Sequence, residues 1–438
     1  MQRTRTAVSA VVVGVVLLVV AIAGAYTVVV DRSAVAVPVA ATAPPPADRL
    51  TASIESAQQR LEEVPGDYAT WAALGAAYVE QARVTANPSY YDKADGALAE
   101  SMRLRPEGND AALTGLGALA NARHDFSAAA RSAEWALAVN PYSATAWGVL
   151  TDARTQLGDY PGATEALHRM LDLKPGVASF TRASYDAELH GDIATAVSAL
   201  EQALEVAGGP ADEAFCYTYL GQLAWSTGDL DQAERRFTAG RKVAPDDPLL
   251  LRGQARVAAA RGDVEAATRA YRRVVQTQPL PEHLVEYGEF LLAVGQPDAA
   301  RKQFTLVDTV RQLFAAGGVQ DDLGVALFEA DHGDPGAAVA AGQAEFARRQ
   351  NVDAHDALAW ALHSAGRDAE ALEHARAATA LGGRNALFLY HRGVIEAHLG
   401  MDDEARRTLA EALDTNPYFS PLHAPRAEEL LASLGGRP

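Results

Sequence analysis

Only one cysteine, Cys216, occurs among 438 residues. A lone cysteine excludes an intramolecular disulfide. Its place inside a helical repeat reads as a small packed hydrophobe, and its distance from the N-terminus excludes a lipoprotein cysteine. Lysine is nearly absent, at Lys93, Lys174, Lys242 and Lys302 alone, while arginine and alanine are abundant. That composition is the codon bias of a GC-rich bacterium such as an actinobacterium. Positive charge is short overall: 38 Lys and Arg face 56 Asp and Glu, a net charge of −18. Nucleic-acid binding needs a basic face, so a dedicated role there is excluded. Acidity of this size keeps a chain soluble. Catalytic patterns are missing too. There is no His-Glu-x-x-His, no P-loop, no Gly-x-Ser-x-Gly and no cysteine pair. The expectation is a protein that is not an enzyme and has neither cofactor nor resident metal.

Charge is missing altogether from Ala7 to Val30. A helix of that length spans roughly 36 Å, enough for a hydrocarbon core of about 30 Å with tilt. Arg3 and Arg5 precede the run. The positive-inside rule then leaves a cytoplasmic tip, residues 1–6, and sends the rest outside the cell. The expectation is a single-pass signal anchor at 7–30. The competing reading is a cleaved signal peptide and a secreted protein, because Ala21-x-Ala23 and Ala23-x-Ala25 are small-residue cleavage patterns. Residues 31–47 hold Pro38 and Pro44-Pro45-Pro46, a stiff extended spacer.

What fills the rest is a repeat of about 34 residues. It is clearest in Trp71-x2-Leu74-Gly75-x2-Tyr78 and in Tyr217-x2-Leu220-Gly221 followed by Ala233-x3-Phe237 and Pro245. Glycines act as a second ruler: Gly158, Gly191, Gly228, Gly262, Gly295, Gly333, Gly366 and Gly400. Most are followed by Asp. Glycine permits a left-handed turn after one helix, and Asp caps the next. This pattern resembles the tetratricopeptide repeat over about 68–420. The resemblance implies an all-α, right-handed superhelix (an α-solenoid) of about ten helix-turn-helix repeats across 68–422. A capping helix at 48–67 and a capping helix and tail at 423–438 would close the ends. Gly115-x-Gly117 sits on a repeat helix and reads as close packing, not as a nucleotide loop.

Function is less legible. The resemblance implies a protein-interaction scaffold docking a peptide or partner helix along its concave face, and the expected anchor puts it on the outer side of the membrane. Repeat register places Thr181, Tyr185, Thr218, Gln222, Trp225, Arg252, Arg256, Glu289, Asp356, Trp360, His363 and Tyr390 on that face. Arg252 and Arg256 are one helical turn apart, suited to gripping an acidic segment or else paired internally with Glu289 or another acid. Histidine is unevenly spread, with His283, His332, His355, His363, His374, His391, His398 and His423 all after residue 280. This motivates an alternative role in metal handling or sensing at the cell surface.

Overall fold

The computed structural model describes residues 46–438. The expected anchor at 7–30 and the spacer to residue 45 lie outside the described residues. Among the described residues there are no strands, and no helix is long and apolar enough to cross a membrane. A leading helix α1 (Pro46–Glu63) comes first. Helix pairs follow: α2 (Tyr68–Thr85) with α3 (Ser89–Leu104), α4 (Asp110–Ala122) with α5 (Phe126–Val139), and α6 (Ala144–Leu157) with α7 (Tyr160–Leu173). Next are α8 (Val177–Leu189) with α9 (Ile193–Glu205), α10 (Pro210–Ser226) with α11 (Leu230–Val243), and α12 (Pro248–Ala260) with α13 (Val264–Thr277). The last four pairs are α14 (Pro281–Ala293) with α15 (Pro297–Ala316), α16 (Asp322–His332) with α17 (Pro335–Arg348), α18 (Val352–Ser364) with α19 (Asp368–Ala378), and α20 (Ala386–His398) with α21 (Asp402–Thr415). Helix α22 (His423–Ser433) ends the array.

The hairpin tips follow from local chemistry. Gly158, Gly191, Gly228 and Gly262 have φ between +75° and +83°, where an L side chain is strained. Asp159, Asp192, Asp229 and Asp263 then accept an N–H from the first turn of the following helix, each cap contributing about 1 kcal/mol. Ala86 and His124 take the same left-handed conformation, at φ +56° and +62°, so the ruler extends two repeats further back than glycine alone marks it. Gly333 departs from the expected tip geometry: its φ is −133°.

Within each pair, small residues let the helices approach. Phe237 on α11 is the clearest wedge: a Cβ on Gly221 or on Gly253 would run into its ring, which is 1% exposed. Phe237 therefore joins three helices of two successive repeats.

The array does not stay open. Arg123 Nε donates to Gly317 O at 3.2 Å, and His124 Nδ1 lies 2.7 Å from Gln320 O. Arg349 donates to Gln156 Oε1, Asn351 Nδ2 donates to the same oxygen at 3.2 Å, and Val352 N donates to the Tyr160 hydroxyl at 2.8 Å. Gly191 meets the backbone of Gly382. Asn416 Nδ2 donates to Trp225 O at 2.9 Å. These hydrogen-bonded partners are 191 to 196 residues apart, a nearly constant offset. Hairpin tips of one superhelical turn thus dock on inter-repeat loops of the next. Apolar packing follows the same path: Ile54, Tyr78, Leu98 and Val149 share one core cluster with Leu280, Leu284, Val310 and Phe314. A solenoid whose units touch only their neighbours lacks such a seam.

Candidate functional site

Closure converts the expected concave face into an interior. Two adjoining cavities occupy it. The larger holds about 610 Å³ and is walled by α12, α14, α16, the 417–422 loop and α22. The smaller holds about 250 Å³ between α8 and α10. Trp225 and Arg256 line both.

Arg252 and Arg256 project into the larger space from one face of α12, and Glu286 of α14 meets them. Arg252 Nε donates to Glu286 Oε2 at 2.5 Å. Arg256 donates through Nε at 2.7 Å and through Nη2 at 2.8 Å. The Tyr271 hydroxyl adds a bond to Glu286 Oε1 at 3.0 Å. Burial alone would raise the Glu286 carboxyl, but the two guanidiniums outweigh it and hold the group far below the usual carboxylate range. The arginine pair is thus engaged internally. Its partner is Glu286, 34 and 30 residues further on, the equivalent place in the next repeat. Nearby, burial pushes the His283 imidazole down to about 3, with Arg252 adding to the effect.

The register positions then divide. Thr181, Tyr185, Gln222 and Trp225 line the smaller cavity, and Trp225, Arg252, Arg256 and Glu289 line the larger. Thr218 does not reach either; it is buried and its hydroxyl donates to Ala214 O at 2.9 Å. Asp356, Trp360, His363 and Tyr390 are also drawn into packing instead of lining a cavity. The Trp360 ring stacks on His391 at 4.1 Å and on His363 at 4.8 Å. Its Nε1 donates to Asp331 Oδ1 at 2.9 Å. His391 Nδ1 lies 3.0 Å from both Asp356 oxygens, and His363 Nδ1 lies 2.5 Å from Asp368 Oδ1. Tyr390 packs on His423 of α22 at 5.1 Å.

The late histidines are mostly structural ties of this kind. His355 and His374 face each other at 3.0 Å. His398 and His283 bond to main-chain oxygens. Among the described residues, Glu289, Asp331 and His332 form the one three-residue group whose candidate ligand atoms all lie within 4.8 Å of one another. Those atoms are already used: His332 Nε2 lies 3.1 Å from Glu289 Oε1, and Asp331 takes Trp360 and faces His423 Nε2 at 3.5 Å. Burial would raise Asp331, yet the bonds from His423 and Trp360 prevail and hold it at about 2.

Register reasoning missed other cavity residues, Glu286, Glu188, Phe215 and Tyr219 among them. Glu286 was legible as the acid one repeat beyond Arg252. Glu188 lies one helical face along from Thr181 and Tyr185. Phe215 lies one turn before Tyr219 on the face that carries Gln222.

One comparison with known proteins bears on the repeat type. The tetratricopeptide repeat family profile matches residues 114–178 and 220–281. No curated protein matches the chain. Among solved structures, a tetratricopeptide repeat protein from Parabacteroides merdae ATCC 43184 is similar, with 18% identity, coverage of 59% of this chain and 99% of that one, and a TM-score of 0.35. PilW, a widely conserved type IV pilus biogenesis factor, shows 18% identity over 46% of this chain and 92% of its own, TM-score 0.38. The APC/C hetero-tetramer Cut9-Hcn1 shows 13% identity over 89% and 82%, TM-score 0.40.

Proposed function

We propose that the protein is a non-catalytic binding scaffold, held outside the cytoplasmic membrane by residues 7–30, that takes a segment of a partner polypeptide into its interior. The carrying observation is the half-open cavity of about 610 Å³ bordered by the superhelical turn. Its size and mixed lining suit a preorganised binding site, which lowers the ordering cost of association. Its charge sets the partner's chemistry. Six carboxyl groups line the two cavities against three guanidiniums. The arginine pair is already held by Glu286. The segment favoured is therefore basic and apolar rather than acidic.

A photo-cross-linking residue in place of Leu327, on the cavity wall, is expected to capture one discrete partner on intact cells. Ala259→Trp, which fills the same space, is expected to abolish that capture while leaving helix content unchanged. Capture that survives the filling substitution removes the cavity from the mechanism. For the anchor, the full chain is expected to resist carbonate extraction and a chain lacking residues 1–32 to be released. A mature N-terminus just after Ala23 or Ala25 would instead establish a cleaved signal and a secreted protein.

The metal-handling alternative keeps one foothold, the Glu289, Asp331 and His332 group. Calorimetric titration with zinc or nickel decides it: no heat and no thermal shift end that reading.

A further inference from the structure

The smaller cavity has a lining unlike the rest of the interior. On α8, Tyr185 and Glu188 stand one turn apart; on α10, Phe215 and Tyr219 do the same. Trp225 closes the end shared with the larger cavity. The Phe215 and Tyr219 rings lie 4.6 Å apart at 49°. Four aromatic side chains thus surround a space of about 250 Å³ that contains one acid. Among the described residues, the Glu188 carboxyl has no hydrogen bond or ion pair. Arg256, the cation on the same wall, is held by two bonds to Glu286.

We infer that this pocket receives a lysine side chain of the bound polypeptide, with its ammonium seated among the aromatic faces and paired with Glu188. The reading rests on the interior being the binding site and adds the chemistry of its anchor. Aromatic faces carry negative quadrupoles that attract an alkylammonium, more strongly once water is excluded. A half-buried carboxyl without a protein partner in such a place is costly as a charge. A neutral apolar group leaves it so; a metal ion finds one ligand where it needs several. An ammonium satisfies both the rings and the acid.

The titration state of Glu188 supplies an independent readout. Burial pushes its carboxyl up to about 7, with no other cause. The groups that face it are Tyr185 and Tyr219, with Arg256 in the same lining; Asp353 and Arg349 act on Tyr185, and Arg83 acts on Tyr219. An arriving cation restores the charged form, so binding near pH 7 releases up to about half a proton, and binding at pH 9 releases none.

The test is calorimetry on the full chain in buffers of differing ionisation enthalpy. Its probes are Nα-acetyl-lysine methylamide, the norleucine analogue and tetramethylammonium. The lysine probe is expected to bind with pH-dependent proton release. Glu188→Gln is expected to weaken it about tenfold or more and abolish the release, and Phe215→Leu is expected to weaken it with release intact. Equal binding of the norleucine probe overturns the inference. Binding of tetramethylammonium without the lysine probe also overturns it, in favour of a free quaternary amine. If no probe binds while the Leu327 cross-link still captures a partner, this inference fails and the scaffold reading stands. If neither occurs, both fail.

Discussion

The inward face of α8, α10, α12 and α14 and that of α18 and α20 carry equivalent register positions but end in different places. In the first region Tyr185, Gln222, Trp225 and Glu289 border open space. In the second, Asp356, Trp360, His363 and Tyr390 are sealed into an aromatic and imidazole stack. The difference is set by what arrives from the C-terminus. The 417–422 loop and α22 fold inward, and His423 packs against Trp360, Tyr390 and His391. A position that a repeat leaves free for ligand is, in the second region, taken by the chain itself.

The two tryptophans put the sharpest strain on this contrast. Trp360→Ala removes a stacked ring that is 7% exposed and strands a hydrogen bond, so a loss of about 3–5 kcal/mol is expected on chemical denaturation. Trp225→Ala is expected to cost about 1 kcal/mol or less and to act on partner capture instead. Similar costs for both would erase the distinction between plugged and open regions.

Next in size is the seam. Gln156→Ala removes the acceptor shared by Arg349 and Asn351. Leaving those buried donors unmet is expected to cost about 1–3 kcal/mol. Hydrogen exchange in 349–352 is expected to accelerate together with that at the 156–160 tip, across 193 residues. Acceleration at one site alone would contradict docking between turns.

The pH dependence follows from His124, which burial pushes down to about 4. Its folded pKa lies below its unfolded value of about 6.5. The unfolded chain binds the proton more readily, so this stability is complete above pH 6.5 and declines as pH falls toward 4. His124→Asn, which tolerates the left-handed tip, is expected to flatten the stability profile in that window.

Glu188 has the opposite sign and the smallest expected effect. Its folded pKa, about 7, lies above the ordinary carboxyl value of 4.5. Its contribution is greatest below pH 4.5 and is lost as pH rises through 7. Glu188→Gln is expected to stabilise the empty protein at pH 8 by on the order of 1 kcal/mol. No gain there would mean that the acid is better solvated than its surroundings imply.

The repeats were legible because their constraints are local and periodic. Gly221 and Phe237 must meet, a tip needs a left-handed residue, and Asp229 must cap. The seam was not. It is made by Gln156, Asn351, Asn416 and main-chain groups in loops, where no period marks a position. Ala86 and His124 hid two tips because a non-glycine residue there carries no signature. The arginine pair looked available because Glu286 lies in the following repeat. The fate of Trp360 turned on α22, whose inward fold no repeat register encodes.

The offset of 191 to 196 residues between docked partners has a consequence for how this chain can change. In a free-ended array, gaining or losing one unit lengthens or shortens the rod and little else. Here the insertion of a single repeat between Gly228 and Gly317 would misalign every docked joint by a whole unit. The number of repeats is locked like the tooth count of a closed gear, and variation is confined to substitution within them.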